Sequence, residues 1–114
     1  MMKKLTIAAT VYLAALFLAS EALADTSYKV AMTSSGSGGW GAIRYQTSTG
    51  QSWFVKNGVL IEVLERSVPP KGNYQVTMSA TQKGWGAVRI ENHSGKMWYI
   101  KDRMWQPLLT ASEQ

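Results

Sequence analysis

The chain reads as an all-β protein made of two tandem antiparallel β-meander repeats, and three observations point there. The first is internal repetition. Gly39-Trp40-Gly41-Ala42-Ile43-Arg44 returns as Gly84-Trp85-Gly86-Ala87-Val88-Arg89, and behind it Gly50, Trp53 and Lys56 match Gly95, Trp98 and Lys101. A period of about 45 residues lies in the range of repeat architectures. The second is alternation: Tyr28, Val30 and Met32, like Tyr74, Val76 and Met78, are spaced two apart, as strand residues are. The third is the placing of Gly50 and Gly95 at the ends of short polar stretches, where a hairpin turn needs positive φ.

Each element follows from its residues. Residues 28–33 form the first strand, and Ser34-Ser35-Gly36-Ser37-Gly38-Gly39 is a loop by composition. Trp40–Thr47 and Gln51–Asn57 are extended runs joined by Ser48-Thr49-Gly50, which fits a type I turn with a Gly bulge. Val59–Glu65 is a further extended run, with a short helix as its alternative because Val-Leu-Ile-Glu-Val-Leu-Glu is ambiguous at this length. Residues 66–73, with Pro69-Pro70, link the copies. The second copy runs through Tyr74–Ser79, Trp85–Asn92, Lys96–Asp102 and Met104–Leu109, where Pro107 marks an edge or strand end. Repeat 1 thus covers residues 28–65 and repeat 2 residues 74–109. They share one core about a pseudo-twofold axis. They either close into one small barrel or sandwich, or act as two propeller-like blades completed by oligomerisation.

Met1–Ala24 reads as a signal peptide: a basic start, an uncharged apolar run over Leu5–Ser20, and Ala22-Leu23-Ala24 before the expected cleavage. The run is shorter than the ~20 residues of a membrane span. Residues 25–114 are then one domain, periplasmic or secreted, with no span after cleavage. There are no cysteines, so no disulfide supports a chain of marginal size, and its five Trp must supply packing instead. The net charge of +5 favours anionic partners but is too diffuse for a nucleic-acid tract.

A Gly-bulge turn sets Thr47 opposite Gln51, and therefore Tyr45 opposite Trp53 and Arg44 opposite Phe54. That register sends Ile43, Tyr45, Trp53 and Val55 inward, as it does Val88, Ile90, Trp98 and Ile100. The other face then carries Trp40, Arg44, Phe54 and Lys56 in one copy and Trp85, Arg89, Tyr99 and Lys101 in the next. This is a repeated aromatic and cationic platform suited to sugar faces and anionic groups. Its bland counterpart is a set of rings and Arg stems that only pack the two halves together.

Catalytic chemistry is not indicated. His93 is the single histidine, no Ser sits in a nucleophile elbow, and Gly36-Ser37-Gly38-Gly39 lacks the Lys-Ser/Thr of a phosphate loop. No cofactor is implied. Met32, Met78, Met97, Met104 and His93 offer soft donors for Cu(I), but Met32 and Met78 alternate with core residues and none is spaced around His93.

The hairpin Arg44-Tyr45-Gln46-Thr47-Ser48-Thr49-Gly50-Gln51-Ser52-Trp53 resembles hairpins of small exported bacterial proteins of unassigned function, which implies export. Ile43-Arg44-Tyr45 and Val88-Arg89-Ile90 are similar to the apolar-Arg-apolar strand of two-repeat bacterial lectins, which trimerise into a six-bladed propeller. In those lectins the Arg is paired with an acid and a Trp; here Phe54 is expected opposite Arg44, and only the second copy has Glu91 nearby. The expectation is a non-catalytic exported binding protein for a glycan or anionic envelope polymer. The alternatives are an assembly protein whose aromatic face meets another envelope protein or a further copy of itself, and a periplasmic Cu(I) binder.

Overall fold

The computed structural model describes residues 27–113, so the expected signal peptide lies outside the described residues. The protein is all-β, and the described residues form two sheets and no closed barrel. Sheet 1 is a meander of β1 (Tyr28–Ser34), β2 (Trp40–Gln46), β3 (Ser52–Lys56) and β4 (Val59–Glu62). Sheet 2 repeats that meander as β6 (Tyr74–Ala80), β7 (Trp85–Glu91), β8 (Met97–Lys101) and β9 (Met104–Leu108). The remaining strand, β5 (Leu64–Glu65), belongs to the first repeat by sequence but pairs parallel with β9 of the second. The ambiguous Val59–Glu65 run is therefore strand, broken at Val63, and not helix. Pro107 sits opposite Trp98, beyond the residues of β9 that β5 pairs, where its missing N–H costs no ladder bond.

The hairpin register differs from expectation by one residue. Arg44 lies opposite Trp53 and Ile43 opposite Phe54; Arg89 lies opposite Trp98 and Val88 opposite Tyr99. The cause is visible at the turn. Gln46 N–H donates to the Gln51 carbonyl and Gly50 N–H donates to the Gln46 carbonyl, so Gln46 and Gln51 close the loop and Thr47 belongs to it. Thr47 is held elsewhere: its N–H donates to the Ser27 carbonyl, and its own carbonyl accepts from Tyr74 N–H. Asn92 N–H likewise donates to the Asn73 carbonyl, and the bond from Glu91 N–H to the Lys96 carbonyl closes the second loop. Gly50 and Gly95 do take positive φ, 75° and 73°. The next turn, Asn57-Gly58, has positive φ at both residues, the geometry of a type I′ hairpin.

A one-residue shift moves every side chain of β3 and β8 to the other face relative to its neighbour. Sheet 1 buries the face bearing Ile43, Tyr45 and Phe54, together with Val63. Sheet 2 buries the opposite face of its meander, bearing Val76, Ala87, Trp85 and Trp98, together with Trp105. Since Ile43 corresponds to Val88, and Ala42 to Ala87, equivalent faces do not meet. The repeats are stacked front to back, and no pseudo-twofold axis relates them through the core.

The stacking is close at Gly41, where a Cβ would stand 2.5 Å from the Trp85 ring; its counterpart Gly86 would meet only a Thr81 methyl at 3.7 Å. Gly41→Ala is expected to destabilise the chain by about 1–3 kcal/mol, since a close-packed core resists added methyl groups. Gly86→Ala should leave the unfolding midpoint in urea nearly unchanged. Equal losses at both glycines would contradict the front-to-back packing.

Candidate functional site

The repeated Arg is the most distinctive side chain of each sheet. On sheet 2, Arg89 stands on β7 with Tyr74 on β6 to one side and Trp98 on β8 to the other. Its guanidinium carbon lies 4.4 Å from the Trp98 ring centroid, 4.8 Å from Trp105 and 5.4 Å from Tyr74. The side chain is completely buried. Its Nη1 donates to the Gly50 carbonyl at 2.8 Å, and its Nη2 pairs with Glu65 Oε1 at 2.6 Å. Both acceptors come from the first repeat, one from the hairpin tip and one from β5. Arg89 Nε has no hydrogen-bond partner. Burial pushes the Tyr74 phenol up from its ordinary value, with the Arg89 charge opposing; its hydroxyl donates to the Pro70 carbonyl.

On sheet 1 the same stack recurs without a cover. Arg44 lies 4.5 Å from the Trp53 ring and 5.1 Å from the Tyr28 ring, and its Nε also lacks a partner. Arg44 is half-buried, and Tyr28, Val30, Met32 and Trp40 around it are exposed.

The residues expected to form two platforms are therefore dispersed. Trp40 and Arg44 share the open face of sheet 1. Phe54 is buried on the inner face of that sheet, and Lys56 is exposed at the end of the same strand. Trp85 and Arg89 lie on the inner face of sheet 2, with Trp85 6.3 Å from Phe54. Tyr99 and Lys101 lie on the outer face of sheet 2, exposed to solvent. The Arg–aromatic contacts are real, but the rings are Trp53 and Trp98, not Phe54 and Tyr99. Tyr28, Tyr74, Trp105 and Glu65 were not among the expected site residues. The one-residue register and the crossing of β5 into the second sheet account for those omissions. Tyr28 and Tyr74 had a signal, since they match between the copies.

Glu91 performs a different task. It is buried at the head of the second hairpin, and its carboxylate accepts N–H bonds from Asn73, His93 and Ser94. Those bonds, the one from Asn73 foremost, hold its pKa near about 2 against an ordinary 4.5. It is a turn staple, and the acid paired with Arg89 is Glu65 instead. Among the described residues no group of three or more His, Cys, Asp or Glu is arranged to hold a metal ion, and no helix is long and apolar enough to cross a membrane.

No protein-family model, no curated protein and no solved structure matches the chain.

Removing one member of a buried ion pair leaves an uncompensated charge. Glu65→Ala should cost about 3–5 kcal/mol in equilibrium unfolding, whereas Arg44→Leu on the half-open stack should cost under about 1 kcal/mol. A second expectation concerns acid. Because the Glu91 pKa is depressed on folding, its stabilising effect is complete above about pH 4.5 and is lost as pH falls towards about 2. The melting temperature should drop through that window, and Glu91→Gln should flatten the drop.

Proposed function

We propose that the protein is a non-catalytic, exported assembly protein whose open sheet 1 face docks onto another protein chain. One observation carries the reading. The Arg–Tyr–Trp stack occurs twice, and the copy on sheet 2 is covered by polypeptide: a hairpin tip, a short strand and a neighbouring sheet face. A side-chain arrangement that serves as a protein–protein contact surface within the chain is suited to the same service at the chain's outer face. The character of that face agrees with this, since Tyr28, Val30, Met32 and Trp40 are exposed together around a half-buried Arg. Aromatic residues, Met and Arg are the types enriched at interface cores.

A glycan or anionic envelope polymer on the same face is the competing reading. It is favoured by the open Trp40 ring and the half-buried Arg44 guanidinium on the same face, which offer a stacking surface and a positive charge. A photo-reactive amino acid placed at Met32, in cells making the protein, decides between them. The assembly reading expects covalent adducts with protein at Met32 and none for the same probe at Asp102. Absence of protein adducts would overturn it, and glycan binding that Arg44→Ala abolishes would then support the competing reading.

A further inference from the structure

The two faces left open at the ends of the stack are the repeat counterparts of the two faces that meet in its middle. Four pairs of equivalent residues show this. Tyr74 and Val76 are 2% and 5% exposed, while Tyr28 and Val30, their counterparts, are 52% and 61% exposed. On the other side of the interface, Phe54 and Val63 are 7% and 2% exposed, while their counterparts Tyr99 and Leu108 are 36% and 46% exposed. The outer face of sheet 2 thus carries the apolar positions that sheet 1 uses to cover sheet 2. The outer face of sheet 1 carries the positions that sheet 2 presents to be covered.

We infer that the chain associates head to tail with a second copy of itself, the outer face of sheet 2 of one copy receiving the outer face of sheet 1 of the next. This inference rests on the assembly reading and names its partner. The seats for the contact are already formed. Inside the chain, the Trp85 ring lies on Gly41 and beside Phe54. At the open end, Gly86 and Tyr99 line a shallow depression of about 380 Å³, and Trp40 of a neighbour is the side chain equivalent to Trp85. Inside the chain, the Tyr74 ring packs on Gly50, where a Cβ would stand 2.9 Å from it; at Gly95 that space is empty, and the equivalent ring is Tyr28. Arg89 reaches the Gly50 carbonyl; Arg44 of the neighbour would reach Gly95 in the same way.

The strand addition repeats too. Leu64 and Glu65 pair parallel with Met104 and Trp105. Their counterparts, Leu109 and Thr110, follow β9 and are exposed, and the counterparts of Met104 and Trp105 are Val59 and Leu60 on the unpaired edge of β4. One substitution distinguishes the two versions. Thr110 stands where Glu65 does, and its hydroxyl donates to Glu113 at 2.7 Å, so Arg44 would meet a hydroxyl backed by a carboxylate instead of a direct ion pair. The contact uses different patches on the two partners and is heterologous, so repetition of it closes into a ring or extends as a chain of copies.

The test is a complementation experiment on the chain expressed with its own N-terminus. Val30→Glu disables one face and Tyr99→Glu the other, at positions already open to solvent. Native protein should scatter light as an assembly of more than one chain. Each variant should be monomeric with an unchanged circular dichroism spectrum, and mixing the two should restore a 1:1 complex that goes no further. Gly86→Ala, which meets no obstacle within one chain, should weaken association with an unchanged circular dichroism spectrum. A native chain that is monomeric at all concentrations overturns the inference. So does an assembly that either variant forms alone, or a mixture that stays monomeric, since a contact between identical patches behaves that way. If the native chain is monomeric yet Met32 cross-links a different protein, self-association fails and the assembly reading stands. If Met32 yields no protein adduct, the assembly reading fails as well.

Discussion

The buried guanidinium of Arg89 is the constraint around which the two repeats are arranged. A charge taken fully out of water is tolerated only when it is paired and hydrogen-bonded. Here the pairing groups come from the other repeat: the Gly50 carbonyl from a hairpin tip and the Glu65 carboxylate from a strand inserted beside β9. Three aromatic rings surround the charge, so the ion sits in a π-rich cage that belongs to sheet 2 and is closed by sheet 1. Such an arrangement sets position more than it adds stability. A hydrophobic core alone would allow the sheets to slide over each other, whereas two directed bonds from one side chain specify how far β7 stands from the Gly50 turn.

That specificity matters in a chain with no disulfide and a small core. Its buried residues are drawn from two unlike faces, Ile43, Tyr45 and Phe54 on one side and Val76, Ala87 and Trp105 on the other. Glycines do complementary work at the closest approaches. Gly41 and Gly50 each lie against an aromatic ring of the second repeat, so a side chain at either would push the sheets apart. Their equivalents Gly86 and Gly95 lack such neighbours within one chain.

Much of the fold was legible in the residues. The period, the strands, the positive φ at Gly50 and Gly95 and the polar turns all follow from local pattern, and the structure has them. The face assignment did not follow. A Gly-ended turn is compatible with two loop lengths, and the choice between them is made by the bonds Thr47 donates to the Ser27 carbonyl and accepts from Tyr74 N–H, residues far away in sequence. Both candidate registers gave an apolar inner face for β2, because Ile43 and Tyr45 alternate with Arg44 in either case. Only the pairing with β3 distinguished them, and there Trp53 and Phe54 are adjacent and both large. The destination of β5 was equally hidden: Leu64-Glu65 is too short to carry a pattern, and its partner strand lies beyond the linker. The Arg–aromatic contact was anticipated correctly in kind and wrongly in partner.

The insertion of β5 has a consequence for how the chain behaves when broken. Residues 66–73 cross between the repeats with much of their length exposed, yet what precedes them is already hydrogen-bonded into the far sheet through Leu64. A proteolytic nick in this connection would therefore free no independent half. The two fragments would remain clasped, the first supplying the edge strand of the second's hydrogen-bond ladder, much as two hands stay linked after the cord between the wrists is cut.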